Sequence, residues 1–144
     1  MRLAKLIATF FYLGKVPILP GTVASFATLI IWHFISLDSF LIRFVVLLLI
    51  ILCGFISIKV SLPLFQEKDP QEIVVDEVVG MSIPLLFILD SFFLSILSFI
   101  LFRILDILKP SIVYYSQSLN AEYGILMDDI LSGIITALII INYL

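Results

Sequence analysis

Apolar residues run along this chain in blocks, and polar residues collect in the gaps. The first block extends from about Val23 to Leu37, the second from Leu41 to Ile58 and the third from Ile73 to Leu89. Asp90-Ser91 interrupts the run, a fourth block follows from Phe92 to Leu108, and a fifth extends from about Ile125 to Leu144. A helix needs roughly 20 residues to cross a bilayer, with a range of about 17 to 25. The blocks are short, but they suffice once their flanks are counted. Merging the third and fourth would set Asp90 near mid-bilayer, where a carboxylate is costly. A turn at Leu89-Asp90-Ser91 avoids that cost, so the pattern predicts five membrane-embedded helices. Ahead of them, Arg2 and Lys5 precede the apolar stretch Leu6 to Leu13, which runs into Gly14-Lys15-Val16-Pro17 without a small-x-small cleavage site. This reads as a retained, short interfacial helix.

Composition agrees. The 144 residues are 62% hydrophobic and 13% charged, with a mean hydropathy of +1.28. Soluble domains are about half apolar and a quarter charged. The expectation is an all-α integral membrane bundle forming a single domain over residues 1–144. A net charge of −3 argues against a nucleic-acid partner, which calls for a basic footprint. Cys53 is the only cysteine, so no internal disulfide can form, and its apolar surroundings predict inert packing.

Charge placement adds an orientation. With the N-terminus in the cytosol and the helices alternating, Arg2, Lys5, Lys15, Lys59, Lys68, Arg103 and Lys109 fall inside, and only Arg43 falls outside, as the positive-inside rule expects. The acids split the same way. Glu67, Asp69, Glu72, Asp76, Glu77, Asp106, Glu122, Asp128 and Asp129 fall inside, and only Asp38 and Asp90 outside. Topology does not require such a gathering of acids, so the inner face is the candidate for chemistry. Some of these acids have a plainer reading: Asp69-Pro70-Gln71-Glu72 predicts a helix start with Asp69 as N-cap and Pro70 at the first helical position.

Four segments meet at that face. In Pro17-Ile18-Leu19-Pro20-Gly21-Thr22-Val23-Ala24-Ser25 a proline-glycine turn feeds a helix with Thr22 as predicted N-cap, and free N–H groups there can hold an anion. Simple helix initiation explains the same residues. In residues 73–81, Asp76 and Glu77 stand together in an apolar helix, with Gly80 one turn later on the face of Asp76. A glycine there leaves room for an ion or a close helix. Buried carboxylates need a partner or a metal; an interfacial pair facing water is the alternative. In residues 102–110, Arg103, Asp106 and Lys109 share one helix face, either as a salt-bridged stripe or as cations that could meet a phosphate. In residues 124–133, Asp128 and Asp129 repeat the acidic pair, and Gly133 repeats the glycine one turn on. Two such pairs brought to one depth make an oxygen-rich site suited to Mg²⁺, an ion that polarises a phosphoryl group and orients water. Like-charge crowding makes protons compete with the metal.

The segments PGTVAS (20–25), IVVDEVVGM (73–81), FRILDILKP (102–110) and GILMDDILSG (124–133) together resemble the phosphatidylglycerophosphatase A family, in its order and spacing and nearly end to end. The resemblance implies a Mg²⁺-dependent phosphatase that removes the terminal phosphate of phosphatidylglycerophosphate to give phosphatidylglycerol. It also implies a helical bundle at the bacterial inner membrane with its site facing the cytoplasm. Carried onto this sequence, the acids of the site are Asp76, Glu77, Asp106, Asp128 and Asp129, with Asp76, Glu77, Asp128 and Asp129 as metal ligands. The phosphate-side candidates are Arg103 and Lys109, with Gly21, Thr22 and Ser25. One departure stands out: many relatives carry further basic residues after the Lys-Pro, whereas residues 111–117 here hold none.

The rival reading is a small ion-coupled transporter or proton conductor, since intramembrane acids are its usual mark. It would need polar residues along the bilayer depth, but the block middles are almost purely aliphatic and aromatic. His33 reads as a packed or interfacial residue. Trp32, Tyr12 and Tyr143 suit interfacial anchoring, and Phe92, Phe93, Phe99 and Phe102 suit lipid or core packing.

Overall fold

The structure, a computed structural model, describes residues 1–35, 39–65, 70–88, 91–108 and 121–143, all helix, turn or irregular chain. We number the helices α1 (Arg2–Ala8), α2 (Pro20–Phe34), α3 (Phe40–Ser61), α4 (Val75–Leu85), α5 (Phe92–Leu108) and α6 (Ala121–Ile141). Short 3-10 turns at Leu13–Lys15 and Leu62–Leu64 precede α2 and follow α3. Each apolar block is therefore one helix, preceded by the short N-terminal one. The third and fourth blocks are separate: α4 stops at Leu85 and α5 starts at Phe92. Leu89 and Asp90, where the turn was expected, lie outside the described residues.

Two predicted helix starts differ. The N-cap of α2 is Leu19, not Thr22, and Pro20 occupies the first turn. Proline needs no N–H partner there and its φ is already helical, so the helix begins earlier than the apolar block. Asp69 lies outside the described residues, and no helix follows Pro70. Instead Ile73 N–H donates to Pro70 O at 2.9 Å, and Val74 N–H donates to Ala8 O at 3.0 Å. That bond to the end of α1 holds the chain out of helix until Val75, so a tertiary contact overrides the local capping pattern.

Among the described residues, two segments are long and apolar enough to cross a membrane, Phe40–Leu64 with 25 residues and Tyr123–Ile141 with 19. Helix α4 has only 11 residues; at 1.5 Å per residue it covers about half of a hydrocarbon core of about 30 Å. Among the described residues, two segments therefore have the length of a full span. Leu41, Leu48, Leu49, Leu52 and Ile56 are exposed along α3, the surface expected where a helix meets lipid. Cys53 is exposed there too, rather than packed inside, because α3 stands at the edge of the bundle.

The short α4 is the central element, with buried residues all around it. Its tightest neighbour is α6, and glycine explains why. A Cβ on Gly80 would lie 2.6 Å from Asp129 O and 2.7 Å from Phe102 Cε2, and one on Gly133 would collide with Gly80 O. Pro84, inside α4, has no N–H to give the Gly80 carbonyl, so that oxygen is left for the approaching backbone of α6. The glycines anticipated as room for an ion or a close helix make room for the helix. Trp32 is another correction: it is buried and donates from Nε1 to Ser82 Oγ at 2.9 Å, so it packs α2 on α4 instead of anchoring at an interface.

Candidate active site

The backbone contact of Gly80 with Gly133 lies one turn below Asp76 on α4 and Asp129 on α6, so the crossing point itself sets the two acidic pairs side by side. Asp76, Asp128 and Asp129 are buried. Asp76, Glu77 and Asp129 each offer a carboxylate oxygen, and the three oxygens lie within 4.8 Å of one another. Asp128 lines the same cavity, with Oδ1 accepting from Asp129 N–H at 3.0 Å.

The end of α5 supplies the cation. Arg103 Nη1 donates to Asp106 Oδ2 at 2.6 Å and lies 3.9 Å from Glu77 Oε1. The start of α2 closes the other side. A Cβ on Gly21 would collide with Glu77 Oε1, so any side chain there would make the Glu77 carboxylate swing away from α2. Together these groups line a cavity of about 300 Å³, with Pro17, Leu19, Pro20, Pro70, Gln71, Ile73 and Ile125 completing its wall.

The sequence-predicted site residues divide accordingly. Asp76, Glu77, Arg103, Asp106, Asp128, Asp129 and Gly21 all line the cavity; Thr22 and Ser25 do not. Ser25 is buried, and its hydroxyl donates to Gly21 O at 2.8 Å, satisfied within its own helix. Lys109 lies outside the described residues. Sequence reasoning placed the segment of Pro17 and Pro20 at this face but missed Gln71. Gln71 stood in a predicted helix start, and nothing local showed that this stretch would face the acids.

Among the described lining residues, five carboxylates surround one guanidinium. Buried carboxylates this close repel one another unless a cation or protons intervene. Glu77 Oε2 and Asp129 Oδ2 are buried with no hydrogen-bond partner among the described residues. Spare, hard oxygen atoms converging from two helices fit a divalent cation such as Mg²⁺.

The family model for phosphatidylglycerophosphatase A matches residues 6–143. The chain belongs to the phosphatidylglycerophosphatase A family. It is thus a phosphatase, of the phosphatidylglycerophosphatase type of lipid phosphatase. A protein of Escherichia coli strain K12 named phosphatidylglycerophosphatase A is 31% identical over 134 residues, 92% of this chain and 78% of that one. A protein of Bacteroides thetaiotaomicron named putative phosphatidylinositol-3-phosphatase is 38% identical over 145 residues, 94% of this chain and 89% of that one. No solved structure matches. The family's acidic words are the segments that α4 and α6 bring together here, and the transporter reading finds no support.

Proposed function

We propose that this member of the family is a Mg²⁺-dependent phosphatidylglycerophosphatase, hydrolysing the terminal phosphomonoester of the lipid at the cavity between α2, α4, α5 and α6. The observation that carries the reading is the convergence of Asp76, Glu77 and Asp129 within 4.8 Å beside Arg103. A phosphate dianion brought toward five carboxylates and one guanidinium would be repelled, so the site requires added positive charge before it can bind substrate. Mg²⁺ held by Asp76, Glu77 and Asp129, with Asp128 alongside, would supply that charge and polarise the phosphoryl oxygens.

The protein's own groups do the rest. Arg103 binds the nonbridging phosphate oxygens and stabilises charge that grows on them in the transition state. Its bond to Asp106 aims the guanidinium at the cavity. The bond from phosphorus to the lipid oxygen breaks as a water oxygen takes its place. The water's proton passes to a carboxylate of the cluster and returns to the departing alkoxide. In a second version an aspartate attacks first and forms an aspartyl-phosphate; incorporation of oxygen-18 into an enzyme carboxylate would reveal it. Lys109, expected to meet the phosphate, would complete the basic side. The positive-inside pattern supports a multi-pass protein in the bacterial inner membrane with this site facing the cytoplasm.

A second substrate has an observation in its favour. The 38% identical relative is named for phosphatidylinositol 3-phosphate, a monoester on a bulkier headgroup. The test is phosphate release by purified protein in detergent from each lipid, with Mg²⁺ and after chelation. Mg²⁺-dependent release from phosphatidylglycerophosphate, well above that from phosphatidylinositol 3-phosphate, is expected. The reverse preference would move the protein to the second substrate, and equal release with chelator present would sink the metal assignment.

A further inference from the structure

The stretch that leads from α1 into the wall of the acidic cavity has a backbone held in an uncommon shape. Phe10, Phe11 and Tyr12 all have positive φ, at 42°, 55° and 69°, and Leu19 has 49°. Residues with side chains adopt this region rarely and stay there only when their surroundings fix them. Several contacts do so here. Thr9 is fully buried, and its Oγ1 accepts from Tyr12 N–H at 3.3 Å. Its carbonyl accepts from Gly14 N–H at 3.0 Å. Phe10 packs against the cluster of Ala24, Val74 and Val78. Gly14 lies against the backbone of Glu72 with no space for a Cβ.

This framework turns apolar side chains outward. Phe11 is 67% exposed, Tyr12 53%, Ile18 72% and Leu19 63%. Leu19, with Pro17 and Pro20, is also part of the cavity wall, so the projecting tip and the site are continuous. Charge has the same bias. Arg2, Lys5 and Lys15 precede the first carboxylate of the chain, Asp38, although the whole chain has a net charge of −3. Lys15 Nζ lies 4.8 Å from the Tyr12 ring centroid, which sets a cation beside the aromatic tip.

We propose that this stretch is a bilayer-interface wedge: Phe11, Tyr12 and Ile18 sit among the headgroups and first methylenes of an anionic leaflet, with Lys15 at the lipid phosphates. Aromatic and aliphatic tips with lysines beside them have the chemistry of that boundary, and Glu72, the acid that borders this stretch, lies 4.0 Å from Lys5 Nζ. The cavity mouth then opens at headgroup depth, and a lipid monoester enters sideways from the leaflet. The seating of the wedge stands on that stretch alone; sideways entry rests on the lipid phosphatase reading.

The test places single cysteines by Phe11→Cys, Ile18→Cys and, as a deep reference on α3, Leu48→Cys, each in a Cys53→Ala background. Each carries an environment-sensitive fluorophore and is reconstituted in phosphatidylcholine vesicles containing phosphatidylglycerol. Nitroxide lipids labelled at the headgroup should quench Phe11 and Ile18 positions most, and mid-chain nitroxides should quench Leu48. Quenching of these two positions by aqueous iodide alone, or chiefly by mid-chain nitroxides, would overturn the wedge. Phe11→Ser with Ile18→Ser should raise the apparent KM for vesicle-embedded lipid several-fold while leaving kcat, and hydrolysis of a water-soluble short-chain analogue, unchanged. Equal loss on both substrates would refute sideways entry. A wild-type protein that hydrolyses neither would refute the phosphatase reading, and quenching would still decide the wedge.

Discussion

The two ends of α4 both bury charge, and they use it differently. At the far end Arg43 is 3% exposed. It donates from Nη1 to Ile88 O at 2.8 Å, and its guanidinium lies 5.3 Å from the Trp32 ring centroid. Trp32 donates to Ser82 Oγ, which donates to Val78 O at 2.7 Å. That end turns Arg43 Nη1 and the Ser82 hydroxyl onto backbone carbonyls and pins α2 and α3 to α4. At the near end Glu77 and Asp129 keep oxygens without hydrogen-bond partners among the described residues, beside a cavity of about 300 Å³. Burying an ion costs several kcal/mol at either end unless other groups compensate. Where the protein compensates from within, the charge is a fastener. Where it leaves oxygens facing a cavity, the compensation has to arrive with a ligand.

The sharpest way to break this contrast is one substitution at each end. Asp129→Asn should lower phosphate release at least about a hundredfold, the scale of losing one group that stabilises the transition state. Its melting temperature in detergent should hold or rise, because a like charge has been removed from a crowded site. Arg43→Met should do the opposite. Loss of a charged hydrogen bond to a buried carbonyl should cost about 2 kcal/mol of stability, with KM unchanged in the folded fraction. If Arg43→Met left stability intact and removed activity, the two ends would not differ as argued.

The glycine crossing gives an intermediate effect. Gly133→Ala forces a methyl onto the backbone of Gly80, and overpacking of this kind costs about 1–3 kcal/mol. Activity should fall with stability, since spreading α4 from α6 separates Asp76 from Asp129. Gly54→Ala is the control: its Cβ would meet only side chains, the nearest being Val79 Cγ2 at 3.2 Å, which can shift. Equal melting temperatures for the two variants would remove the crossing as the element that aligns the acids.

Much of this was legible in the chain. The apolar blocks located the helices, because a helix facing lipid or core has no alternative use for a long aliphatic run. The matched spacing of Asp76 with Gly80 and Asp129 with Gly133 pointed to the acidic cavity, because both carboxylates hang one turn from the point where two backbones touch. What stayed hidden depended on distant partners. The late start of α4 follows from the bond of Val74 to Ala8, some 66 residues away in sequence. The contact of Gly21 with Glu77 has no local signature beyond a proline-glycine turn. Trp32 reads as an interfacial anchor until Ser82 is found beneath its indole nitrogen.

The smallest expected effect tests where the site stops. Sequence resemblance set Ser25 among the phosphate-side residues, yet its hydroxyl is fully buried and donates to Gly21 O at 2.8 Å. A serine bonded to the carbonyl four residues back stiffens its own turn and offers nothing to a ligand. Ser25→Ala should therefore change stability by about 1 kcal/mol or less and leave kcat and KM within about twofold, a barrier change below about 0.5 kcal/mol. The turn it supports presents Gly21 to Glu77, so any loss that does appear should be matched by a shift in melting temperature. A tenfold loss of kcat at unchanged melting temperature would mean that the hydroxyl swings into the cavity when substrate binds. The boundary between site and scaffold would then have to be redrawn one turn deeper into α2.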